Sequence, residues 1–236
     1  MSVTPIVALD VKSLGAALSL VERLDRAARF YKVGSELFTR AGPEIVSAIR
    51  AQQCDVFLDL KFHDIPNTVA SAVAAAADMG VAMTTVHASG GMAMLRAAVE
   101  AATPECRIVA VSVLTSLDAT AVAASWGRST KVDVQEEVLR LARLAVDAGV
   151  GGFVCSGQEA AAVRKELGKH LALVVPGIRF ADGASHDQAR VVTPADAARA
   201  GADYVVVGRA VTGAADPVEA MERLSAELKI SLEGMT

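Results

Sequence analysis

Short apolar runs rich in Val, Ile and Leu recur along the chain, and each is followed by an Ala-rich stretch whose apolar positions repeat with helical spacing. Brief β-branched runs bounded by turn residues read as strands, and apolar positions three and four apart read as one face of a helix. The pattern predicts strands at Ile6–Val11, Phe30–Ser35, Val56–Leu60, Met83–Ala88, Ile108–Leu114, Gly152–Ser156, Leu173–Gly177 and Tyr204–Gly208. Helices are predicted between and after them at Leu14–Ala27, Pro43–Gln52, Asn67–Asp78, Met92–Ala101, Gln135–Ala148, Glu159–Leu167, Ala195–Ala200 and Pro217–Leu228.

Strict alternation of strand and helix implies a parallel sheet, either closed or open. A doubly wound open sheet fits the alternation equally well, but eight units with no Gly-x-Gly-x-x-Gly after the first strand favour a single-domain (β/α)8 TIM barrel. The barrel is expected to occupy residues 1–230, with Ser231–Thr236 as a C-terminal tail. Two connections exceed plain turns: Thr115–Val134, with room for a short extra helix, and Phe180–Thr193, polar and of the kind that forms lids over barrel sites. The second ends in Thr193-Pro194-Ala-Asp196, a Thr N-cap with Pro at the first helical position and an acid in the first turn.

Composition narrows the picture. With 53% apolar and 21% charged residues in 236, the chain can bury a full core, and with aromatics at only 4% that core is built from Ala, Val, Leu and Ile. A net charge of −4 argues against sequence-independent binding to nucleic acid, so an anionic ligand has to be held by a local site. Cys54, Cys106 and Cys155 lie far apart in or beside apolar runs and read as reduced core thiols. No basic leader opens the chain and no charge-free run is long enough to span a bilayer, so a cytoplasmic protein with no membrane partner is expected.

The most informative stretch is Asp59-Leu-Lys61-Phe-His-Asp64-Ile-Pro-Asn-Thr68, at the end of the third strand. Residues two apart on a strand share a face, so Asp59 and Lys61 point the same way, with Asp64 just beyond. Taken alone, such a pair is as well explained as an ion pair that locks the barrel rim. It is not alone, because Lys32 ends the second strand and Asp10 the first, and all three strands deliver charge to the catalytic end of a barrel. Burial costs roughly several kcal/mol per unpaired charge, so stability alone is a poor reason to keep such an array.

A second constellation lies late in the chain: Val175-Pro-Gly177-Ile-Arg179 after the seventh strand and Val207-Gly208-Arg209 after the eighth. The loops after these strands form the recurrent phosphate site of such barrels. There Gly208 lets backbone N–H groups approach an anion, Arg209 adds charged donors, and Gln188 closes from the intervening loop. His63, His87, His170 and His186 form no metal-ligand pattern, so no catalytic metal is expected, and His87 is at most a supporting residue. Without a nucleophile elbow, paired Cys motif or Walker loop, what remains is acid–base and electrostatic chemistry on a phosphorylated ligand.

Taken in order, Asp59-x-Lys61-x-x-Asp64-Ile-Pro-Asn-Thr68, Leu114-Thr-Ser116, Pro176-Gly-Ile-Arg179, Asp187-Gln188, Thr193-Pro194 and Val207-Gly-Arg209 resemble the orotidine 5′-phosphate decarboxylase family. The resemblance runs from about Ile6 to the last helix with no departure at a motif position. It implies decarboxylation of orotidine 5′-monophosphate to UMP without metal or cofactor, by a homodimer. It makes Lys61 the catalytic lysine in a charged set with Asp59, Lys32 and Asp64, and has Asp64 and Thr68 reach into the partner's site. Asp10 and Lys32 then hold the ribose, Thr115 and Ser116 lie by the pyrimidine, and Arg179, Gln188, Gly208 and Arg209 grip the phosphate.

Two other readings stay open at this point. A metal-dependent sugar-phosphate decarboxylase or aldolase of the same superfamily shares the Asp-x-Lys-x-x-Asp core, though the Ile-Pro-Asn-Thr extension speaks against it. A catalytically silent phosphate-ligand barrel shares fold and phosphate grip, and the charged set speaks against that.

Overall fold

A computed structural model describes residues 3–182 and 191–233, with side chains up to Lys229. Among these residues all eight predicted strands form, pair in parallel and close in chain order. They are β1 Thr4–Ala8, β2 Phe30–Gly34, β3 Asp55–Phe62, β4 Met83–His87, β5 Arg107–Val111, β6 Gly152–Val154, β7 Ala172–Val175 and β8 Tyr204–Val207. The ring closes through β1 and β8, where Ile6 pairs with Val206.

The helices are α1 Leu14–Leu24, α2 Ser35–Ala41, α3 Glu44–Ala51, α4 Pro66–Asp78, α5 Gly91–Ala101, α6 Ala119–Ser125, α7 Val134–Asp147, α8 Gly157–Leu167, α9 Pro194–Arg199, α10 Arg209–Thr212 and α11 Pro217–Glu233. Local chemistry explains their starts. Ser13 caps α1 by accepting from the Ala16 N–H at 3.2 Å, and Pro66 sits in the first turn of α4, where a missing N–H costs nothing. Ser156 and Glu159 form a capping box on α8. The expected cap on α9 is present, with Thr193 Oγ1 accepting from the Asp196 N–H at 3.1 Å.

The structure corrects the expected boundaries. β1 stops at Ala8 instead of Val11 and β5 at Val111 instead of Leu114, because apolar residues beyond the ladder still have something to cover: Val113 is buried although it lies outside the strand. β3 departs the other way and continues to Phe62. α2 begins directly at Ser35, the last residue of the strand the pattern predicts, since Gly34 has extended backbone as its N-cap and the chain turns at once. The predicted helix Leu14–Ala27 ends at Leu24 and tightens to a 3-10 turn over Asp25–Ala27. α10 was not expected, the extra helix in the long fifth connection is α6, and α11 runs to Glu233, into the stretch expected as tail.

Two apolar layers hold the fold. Inside the barrel, Ile6, Ala8, Phe30, Phe57, Met83, Val109, Val174 and Val206 form one cluster. A larger one, including Val7, Leu9, Tyr31, Val33, Leu58, Val86, Ala110 and Val205, packs between the outer barrel face and the helices. The period-two alternation of each strand sorts its residues between the two layers. The cysteines are buried and unbonded, and burial pushes the thiols of Cys106 and Cys155 up to about 11 and about 12.

Candidate active site

The same alternation builds the site. On β1, Ile6 and Ala8 face the barrel interior, and the next residue of that parity is Asp10. Phe30 is followed in this way by Lys32, Phe57 by Asp59 and Lys61, and Val206 by Gly208. The apolar plug therefore becomes, one step further along each strand, the floor and wall of a cavity at the C-terminal ends. Its volume is about 450 Å3, within the range of small-molecule sites, and Asp10, Lys32, Asp59, Lys61, Thr115, Arg179, Gly208 and Arg209 all line it.

On the β1–β3 side the charges form a chain of alternating sign. Lys32 Nζ lies 3.2 Å from Asp10 Oδ1 and 3.7 Å from Asp59 Oδ2. Lys61 Nζ lies 2.8 Å and 2.9 Å from the two oxygens of Asp59. The side chain of Asp59 is only 12% exposed and that of Lys32 13%, whereas Asp10 is open at 66%. Burial by itself would push the Asp59 carboxyl up, but the Lys32 and Lys61 ammonium groups and hydrogen bonds from Lys61 and Thr85 hold it below the usual carboxylate range. Gly34 leaves the space the array needs, because a Cβ there would meet Lys32 Nζ at 3.0 Å.

Backbone geometry adds something the spacing did not reveal. Lys61 has φ +53, a left-handed conformation uncommon outside glycine, and β3 shifts register against β4 between Leu58 and Phe62. His87, at the end of β4, stacks near His63 with ring centroids 5.3 Å apart. Burial, His63 and Lys61 lower its pKa against the opposing pull of Asp59, which favours the neutral ring.

The β7–β8 side is built differently. Arg179 is nine-tenths buried, and its Nη1 donates to the Ile178 carbonyl at 2.7 Å. Gly208 is the N-cap of α10, whose first residue is the exposed Arg209. Gly177 has φ +80, which accounts for glycine at that bend. Both stems of the expected lid are anchored: Ile178 bridges Val192, and Arg223 lies 4.2 Å over the Phe180 ring and pairs with Asp182 at 3.0 Å. Gln188 and Asp187 lie outside the described residues.

Not every expected residue reaches the cavity. Ser116 is exposed and is not part of the lining, unlike its neighbour Thr115. Asp64 and Thr68 are also exposed and away from it; an Asp64 carboxylate oxygen accepts from the Ile65 N–H at 2.7 Å. Sequence reasoning missed Thr85 altogether, although it touches both Asp59 and Lys61. The only available signal was a polar pair, Thr84-Thr85, inside a strand buried on both faces. Among the described residues no group of three or more His, Cys, Asp or Glu side chains is placed to hold a metal ion, and no helix is long and apolar enough to cross a membrane.

Comparison with known proteins gives consistent results. The model of the orotidine 5'-phosphate decarboxylase / HUMPS family matches residues 4–224. An orotidine 5'-phosphate decarboxylase of Nitrosococcus oceani is 50% identical over 226 residues, covering 94% of this chain and 96% of that protein. Another, from Moorella thermoacetica, is 47% identical over 233 residues, with 95% and 92% covered. The crystal structure of orotidine 5'-phosphate decarboxylase from Lactobacillus acidophilus matches with a TM-score of 0.84 at 33% identity, covering 97% of this chain and 99% of that one.

Proposed function

The chain belongs to the orotidine 5'-phosphate decarboxylase / HUMPS family, and from that premise we propose that it converts orotidine 5′-monophosphate to UMP, the closing step of de novo pyrimidine nucleotide synthesis, without metal or cofactor. The observation that carries the proposal is the alternating Asp10, Lys32, Asp59, Lys61 chain at one wall of a cavity whose other wall bears Arg179 and Arg209. A nucleotide monophosphate has both features to match, an anionic phosphate at one end and a reacting base at the other.

In the proposed reaction the bond from C6 to the carboxylate breaks and carbon dioxide leaves. The electron pair stays on C6, which has no adjacent electron sink, so the site has to stabilise concentrated negative charge. The Lys61 ammonium lies against that charge and then gives C6 a proton, yielding UMP; the neutral amine recovers a proton from water. In this reading Asp59, which holds Lys61 at 2.8 Å, lies near the departing carboxylate and disfavours the bound ground state. By the same reading Lys32 and Asp10 hold the ribose hydroxyls, Thr115 lies by the pyrimidine, and Arg179, Gln188, Gly208 and Arg209 hold the phosphate.

The same reading makes the working unit a cytoplasmic homodimer in which Asp64 and Thr68 complete the partner's site. Ile65, between them in sequence, is 67% exposed in the single chain, a large apolar side chain that a partner surface would cover. The test is loss of the orotate-type ultraviolet absorbance when purified protein meets orotidine 5′-monophosphate in excess chelator, beside Lys61→Ala. Rapid loss with the parent protein and none with the variant is the expected result. Inactivity of both, with turnover of sugar phosphates once magnesium is restored, would overturn the proposal.

A further inference from the structure

We propose that Thr85, on β4, is the positioning residue that sets Asp59 and Lys61 in their working geometry, an inference that rests on the decarboxylase reading for its kinetic consequences. Between the paired positions Leu58–Thr84 and Phe62–Val86, β3 carries Asp59, Leu60 and Lys61 where β4 carries only Thr85. The surplus residues make the irregularity that turns Lys61 to φ +53. A strand with more residues than its partner has backbone groups the ladder leaves over, and in a buried position each needs another partner.

Thr85 is that partner. It is fully buried, and its Oγ1 accepts from the Lys61 N–H at 2.8 Å while donating to Asp59 Oδ1 at 3.0 Å. A hydroxyl has one proton to donate and lone pairs to accept with, so both bonds are satisfied at once. One bond holds the strained backbone that aims Lys61, and the other fixes the carboxylate to which the Lys61 ammonium is bound. The neighbouring Thr84 is equally buried, but its hydroxyl donates to the Leu58 carbonyl at 3.1 Å and touches neither charge. Nature has thus placed a structural control beside the positioning residue.

The test compares Thr85→Val, Thr85→Ser, Thr85→Cys and Thr84→Val in the intact protein by steady-state kinetics, thermal unfolding and carbon-13 titration of the Asp59 carboxyl. Loss of a buried hydrogen bond to a charged group should lower kcat for Thr85→Val by about 30-fold or more with KM within about threefold. Thr85→Ser should stay within about threefold of the parent, and Asp59 should titrate higher in Thr85→Val but not in Thr85→Ser. Thr84→Val should lower the unfolding temperature yet leave kcat and the Asp59 titration near the parent values. If Thr85→Val does not fold, Thr85→Cys, whose thiol is a weak donor and acceptor, should show the same losses in smaller measure. Parent-like kcat and an unmoved Asp59 in the folded Thr85 variants would overturn the inference, as would equal losses in Thr84→Val. Absence of decarboxylation in the parent protein would sink the functional reading instead, and the Asp59 titration would still decide the role of Thr85.

Discussion

The two walls of the cavity carry charge in different arrangements. On the β1–β3 wall each charged group has an opposite charge from the same chain within reach, and the central pair is mostly buried and fastened by Thr85. On the β7–β8 wall the elements are cationic side chains and glycine backbone, with Arg179 sunk into the wall and Arg209 exposed on a four-residue helix. In the proposed reaction the first wall, assembled during folding, has dipoles that need no rearrangement when charge develops at C6. In the same reading the second wall takes up the ligand's phosphate, and binding energy from that remote group helps to reach the transition state.

If this division holds, the largest effect belongs to the first wall. Lys61→Ala should lower kcat by roughly 10^3-fold or more while the protein still binds UMP, measured by single-turnover kinetics and calorimetry. A variant that loses UMP binding in proportion to turnover would show that the wall binds instead of reacting. Next comes the question whether the wall is completed by a second subunit. Mixing Lys61→Ala with Asp64→Ala, each nearly inactive, should regenerate about a quarter of parent activity, because a two-fold dimer of mixed subunits holds one intact site. No recovery on mixing would mean that Asp64 serves its own subunit.

Breaking the second wall should hurt less and differently. Arg209→Ala should lower kcat/KM by about 30- to 100-fold and be much milder for a substrate that lacks the phosphate. Equal losses for both substrates would erase the distinction between the walls. The smallest effect is on stability. The folded-state pKa of Asp59 is depressed, so the native state binds fewer protons there than the unfolded chain. Its contribution is complete above the ordinary carboxylate value of about 3.9 and drains away as pH falls through the lower folded value. Asp59→Asn should therefore be less stable than the parent at pH 6, with the gap closing toward pH 3 in denaturant unfolding. A gap that does not change with pH would mean the carboxylate charge contributes nothing to the fold.

How much of this was legible in the chain varies by feature. The strands were legible because period-two and β-branched patterns are strong over short spans, and the parity that carries Ile6 and Ala8 into the plug carries Asp10 into the cavity. Strand ends were not, since Val113 stays apolar after the ladder stops. α2 was hidden because Ser35 follows an extended run with no break in the pattern, and only the fold shows that the run ends at Gly34 and the helix starts at Ser35. Among site residues, Asp59, Lys61, Lys32, Arg179 and Arg209 stood out as charges after apolar runs. Thr85 did not, because a threonine inside a strand looks the same whether its hydroxyl holds a carboxylate or a neighbouring carbonyl.

By itself, then, the sequence determined the alternation of eight strands with helices, the end of the barrel where charge gathers, and the capped return of the chain at Thr193, because each depends on side chains close together along the backbone. The tertiary structure decided which of those charges touch, how far each is buried, and that Lys61 reaches Asp59 through a left-handed kink pinned by Thr85. Those facts depend on register between strands that are distant in the chain, and register is set by packing of the whole barrel.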